Sequence, residues 1–86
     1  MRPQMRESKH ELQVGAGIFA TNVRQALTDA NMTQEGLARE LGVSLGSVNK
    51  WVRGLNEPRG QMLVALARVL DRNPEWFYAE PEELAA

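Results

Sequence analysis

Residues 33–54, TQEGLARELGVSLGSVNKWVRG, decide the fold. They read as two short helices joined by a tight turn. Thr33 is placed to cap the first, its hydroxyl accepting from the orphan amides of the opening turn. Leu37, Ala38 and Leu41 fall on one face at helical spacing. Gly42 follows where a helix stops in a left-handed conformation, which glycine adopts without strain. Val43 plugs the corner, Ser44 caps the second helix, and Val48 and Trp51 recur on one of its faces. The methyl group of Ala38 lets the second helix cross closely over the first. Each residue meets a separate steric demand, so their joint register is a strong signal.

The run TQEGLARELGVS, followed by Val48, Trp51, Gly54 and Pro58, resembles the Cro/phage-repressor class of helix-turn-helix proteins (lambda repressor-like, XRE-type). The resemblance covers roughly residues 18–78. It implies an all-α fold, a compact five-helix domain that docks its third helix in the DNA major groove, usually as a two-fold dimer. It also implies base contacts from Leu45, Gly46, Ser47, Asn49 and Lys50, a phosphate contact from Gln34, and a further contact from Asn56. The chain departs from the pattern at Leu45, where many members carry Gln. Leucine gives up the hydrogen-bonded readout at that place.

Helix geometry alone sorts the helix after Ser44. At about 100° per residue from Leu45, Val48 lies near ~300° and Trp51 near ~240°, so the core direction is about ~270°. Gly46, Asn49, Lys50 and Arg53 fall around the opposite direction, between ~40° and ~140°. That outward face suits base reading: Asn pairs bidentately with adenine, Lys donates to guanine, and Arg grips guanine or phosphate. Gly46 removes a side chain where the helix would approach the sugar-phosphate wall, and Leu45 lies between the two faces, in reach of a thymine methyl. The plain alternative is a solvated helix face. Gln34, Ser44, Arg53 and Arg59 are the candidate phosphate contacts, Arg59 acting with the free amides of the helix that follows it. Trp51 is read as core, not as a stacking platform.

The 86 residues fit one small domain, and there is no Cys to staple it. Absent Cys fits a reducing cytosol. No apolar run approaches the ~20 residues of a membrane span. Arg2, Arg6, Glu7, Lys9 and Glu11 interrupt any signal-peptide core. A soluble cytoplasmic protein, nucleoid-associated when on DNA, is expected. The net charge of −1 argues against a nucleic-acid partner when taken alone. Residues 18–73, however, carry seven basic side chains against five acidic, a net of +2, while the last thirteen residues hold four Glu and no base. The acidity is therefore largely a property of the tail, and few phosphate contacts are expected.

Outward from the motif, the sequence divides into a flexible arm over 1–16, a helix-turn-helix domain over 17–79 and an acidic tail over 80–86. The first helix should run from about Ile18 to Ala30, with Phe19, Val23 and Leu27 on its buried stripe and Asn31 as a left-handed stop. A fourth helix should begin near Gly60 and bury Leu63, Leu66, Val69 and Leu70. Asn73 and Pro74 look like the cap and first residue of a short fifth helix containing Trp76, Phe77 and Tyr78. Those three aromatics cannot all be buried in so small a domain, so Trp76 and Tyr78 are candidate dimer contacts. Gly36 and Gly46 sit inside helices, each costing roughly 0.5–1 kcal/mol relative to Ala, and Gly36→Ala is expected to stabilise.

Catalytic chemistry is missing. His10 is the single histidine, there is no zinc-finger spacing, and Gly15–Gly17 lacks the lysine of a phosphate loop. No enzyme, cofactor or metal is expected. The leading expectation is a sequence-specific double-stranded DNA-binding regulator of the phage-repressor type, acting as a homodimer on a pseudo-palindromic operator. The alternative is an antitoxin or adaptor that uses the same fold mainly for protein contact, with the acidic tail or the aromatic helix holding the partner. The sequence leaves open whether this is a complete short regulator or the N-terminal half of a longer one.

Overall fold

Thr33 and Ser44 set the frame of the domain. In the computed structural model, which describes residues 17–80, each opens a helix and its side-chain oxygen accepts an amide three residues on, Gly36 at 2.9 Å and Ser47 at 3.0 Å. The described residues form four α-helices: α1 over 17–30, α2 over Gln34–Leu41, α3 over Leu45–Val52 and α4 over Gly60–Val69. A 3-10 helix, η1, spans Pro74–Tyr78. No strand occurs among the described residues. The expected arm over 1–16 and the tail from Pro81 lie outside them.

The turn between α2 and α3 follows the chemistry of its sequence. Gly42 takes a left-handed conformation, φ 71°, and its amide reaches the carbonyls of Ala38 and Arg39. The Val43 amide then donates to the Ala38 carbonyl at 3.0 Å. Two of the terminal carbonyls of α2, those of Ala38 and Arg39, are thus satisfied, and the chain reverses in two residues. Val43 packs against the core from the corner. Asn31 likewise ends α1 at φ 55°.

Phe19, Val23 and Leu27 of α1 meet Leu37 and Ala38 of α2, Val48, Trp51 and Val52 of α3, Leu66, Ala67 and Leu70 beside α4, and Phe77 of η1 in one buried cluster. On α4 the buried stripe is rotated from the expected one. Ala67 enters the core, while Leu63 and Val69 are only partly covered.

The expected short fifth segment forms at Pro74–Tyr78, as a 3-10 helix and not as a fifth α-helix. Pro74 does occupy its first turn, but Asn73 makes no side-chain cap bond, and the segment is a five-residue 3-10 turn. The reason lies across the core. Asn22, on α1 and 1 % exposed, donates its amide nitrogen to the carbonyls of Phe77 at 3.0 Å, Ala79 at 2.9 Å and Trp76 at 3.2 Å. Carbonyls that would accept from a continuing α-helix are drawn onto a side chain, and the chain leaves extended at Ala79. Phe77 is buried, Trp76 is half-buried, and Tyr78 stays 47 % exposed.

Candidate nucleic-acid interface

The outward face of α3 is built by the burial of its opposite side. Val48, Trp51 and Val52 are fixed in the core, so the helix cannot rotate about its axis. Gly46, Lys50 and Arg53 are then exposed and Asn49 is half-exposed. Leu45, the first residue of α3, is 45 % exposed, between the two faces. Arg53 lies just past the helix, as its C-terminal cap.

Hydrogen bonds join two elements across this face. Asn49 Nδ2 donates to Gln34 Oε1 at 3.4 Å, and Arg53 Nη1 donates to Asn49 Oδ1 at 3.3 Å. Gln34 opens α2, so a residue 15 positions away in sequence is brought onto the α3 surface. The pair fixes which end of the Asn49 amide is donor and which acceptor, and it leaves one N–H and one carbonyl lone pair free. At the head of the helix, Ser44 Oγ donates to Ser47 Oγ at 3.1 Å while capping the Ser47 amide. Both hydroxyls are thus engaged within the chain.

Asn56 and Arg59 are exposed, and among the described residues no hydrogen bond joins their side chains to this cluster. Asn56 belongs to the loop over 53–59, which doubles back on α3: the Gly54 amide donates to Trp51 O at 3.2 Å and the Leu55 amide to Lys50 O at 2.9 Å. Gly54 allows the reversal with φ 77°. Pro58 is buried and pins the loop's far end. Arg59 supplies the backbone cap of α4, without a side-chain capping bond.

Three residues that the sequence reading passed over support this surface. Arg24 of α1 donates through Nη1 to the carbonyl of Val52, placing a cation at the negative end of α3. Glu57 accepts from the Tyr78 hydroxyl at 2.9 Å. Asn22 holds η1. No local sequence signal marks any of them, because each acts through a partner at least 21 residues away. The Tyr78 ring also lies 5.3 Å from that of Phe19. Its phenol is pushed up to about 12, first by burial, then by the hydrogen bond to Glu57 and that group's negative charge. Trp76 packs edge-on against Phe77, and the Arg72 guanidinium lies 4.6 Å above its ring.

The helix-turn-helix family model matches residues 23–77. The chain belongs to the Cro/phage-repressor type of helix-turn-helix proteins. It is 38 % identical over 61 residues to the HTH-type transcriptional regulator DicA of Escherichia coli K12, an alignment that takes in 71 % of this chain and 45 % of that protein. The chain therefore spans less than half the length of this relative. No solved structure matches it. Among the described residues, no helix is long and apolar enough to cross a membrane.

Proposed function

We propose that this chain is a sequence-specific double-stranded DNA-binding transcriptional regulator, a phage-type repressor that reads its operator with α3 in the major groove. The observation that carries this reading is the outward face of a capped, core-anchored α3, with Asn49 held between Gln34 and Arg53 and Lys50 beside it. Asn49 reads adenine and Lys50 donates to guanine. Leu45 meets a thymine methyl, Gly46 lets the helix sit close, and Ser47 and Asn56 complete the base contacts. Gln34, Ser44, Arg53 and Arg59 take phosphates. Membership of the family and the description of DicA as a transcriptional regulator support this reading. Binding as a homodimer, with Trp76 and Tyr78 as candidate contacts, sets half-sites about one turn apart, roughly 10 bp centre to centre. The site of action is the cytoplasmic nucleoid.

The test is selection of bound duplexes from a random DNA pool at about 150 mM salt, followed by sequencing. An enriched palindrome with half-sites of that spacing supports the reading. Absence of enrichment points instead to an antitoxin or adaptor role, which the net charge of −1 favours.

A further inference from the structure

Glu57 is the one acidic side chain of the loop that joins α3 to α4, between Asn56 and Arg59. A carboxylate there is a liability for a surface that meets phosphates, since each free negative charge within a Debye length repels the duplex. The fold deals with it through η1. Tyr78 Oη donates to Glu57 Oε1 at 2.9 Å, and its ring is anchored on Phe19, which is fully buried. The bond turns the carboxylate toward η1, and it ties the middle of the loop to the body of the domain. The loop is tied to α3 by Arg53 and by the Gly54 and Leu55 amides, and its far end by buried Pro58. Glu57 is held from the η1 side.

We infer that Tyr78 is a positioning residue for DNA binding: its hydroxyl retains the Glu57 carboxylate away from the phosphate backbone and holds the Asn56 loop in place. This rests on the DNA-binding reading above. It predicts that losing the hydroxyl matters only while residue 57 is an acid.

The probe is a mixed-sequence duplex of about 30 base pairs at about 50 mM salt, where electrostatic terms are largest. Wild type, Tyr78→Phe, Glu57→Gln and the double variant are compared by fluorescence anisotropy, with melting temperatures recorded alongside. Tyr78→Phe should weaken binding by about twofold to fivefold, at most the scale of one unit charge brought near phosphates at a wet surface. Glu57→Gln removes a negative charge and should bind at least as tightly as wild type, and the double variant should bind like Glu57→Gln alone. Rescue by Gln separates this role from mere loss of packing, which a change at residue 57 would not restore. Equal binding by wild type and Tyr78→Phe overturns the inference, and so does a weakened double variant. Should Tyr78→Phe not fold, weaker binding by Glu57→Gln than by wild type overturns it alone, since the carboxylate would then be a support of the interface and not a liability. Failure of wild type to bind the duplex, together with no enrichment in the random-pool selection, is a different result and removes the DNA-binding reading itself.

Discussion

Asn22→Ala tests the account of how η1 is held. The Asn22 amide is buried and carries two N–H groups, which serve three carbonyls at 2.9–3.2 Å. Each such bond contributes about 0.5–1.5 kcal/mol net, and a buried carbonyl left without a donor costs about 1–3 kcal/mol. Alanine removes both N–H groups and strands the Phe77 carbonyl in the core, so the expected loss is about 2–4 kcal/mol. In a domain of this size that lowers the melting temperature by roughly 10–25 °C. Urea unfolding followed by tryptophan fluorescence reads it directly, with an unchanged m value expected. Trp76 lies in η1 and Trp51 in the core, so local loosening of η1 shows as an early change in signal. Asn22→Asp sharpens the test. A carboxylate facing three carbonyl oxygens is repelled, so that variant should be less stable than Asn22→Ala at pH 7. Protonation restores a donor, so it should recover toward pH 4, as linkage requires for a carboxyl whose folded form resists ionisation. A loss below about 0.5 kcal/mol for Asn22→Ala, the range of an ordinary surface change, would mean that these bonds do not hold η1.

Tyr78 is the single tyrosine, so its ionisation is legible in ultraviolet absorbance. The midpoint should lie near 12 in the wild type and lower in Glu57→Gln. Because the folded phenol is harder to ionise than the unfolded one, its contribution to stability is complete below pH 10 and is lost as pH rises toward 12; a wild-type midpoint at 10 would contradict this. Gly46→Ala meets only Ser44 Oγ at 3.7 Å and should raise stability by about 0.5–1 kcal/mol in thermal melts. A methyl at Gly36 would stand 3.3 Å from the capping Thr33 Oγ1 and 3.4 Å from Met32, so Gly36→Ala should gain less than Gly46→Ala, contrary to the expectation from helix propensity; an equal gain would show that the cap yields freely. On a selected operator, Asn49→Ala or Lys50→Ala should cost about 1–3 kcal/mol and relax one base position, and an unchanged footprint would remove these residues from the reading face. Arg53→Ala should weaken all duplexes alike and lower the salt slope by about 1; an unaltered slope would count against a phosphate role.

The helix-turn-helix was legible in the chain because its determinants are local. Thr33 and Ser44 cap within three residues, Gly42 supplies its own left-handed turn, and the 3.6-residue period of Leu37, Val48 and Trp51 orients each helix without knowledge of its neighbours. The outward set of Gly46, Asn49, Lys50 and Arg53 follows from the same arithmetic, since it is what remains once the apolar side is buried. Which polar groups meet across the fold did not follow. Asn22 looks like any polar residue on α1 until the carbonyls of η1 close over it, and that contact goes with a last segment of 3-10 and not α type. The pairing of Gln34 with Asn49, of Arg24 with the end of α3, and of Tyr78 with Glu57 likewise joins residues 15 or more positions apart. Caps and periods are set by neighbours a turn away and are written in the order of residues. A buried amide or a tethered carboxylate depends on distances that exist only after the core has formed.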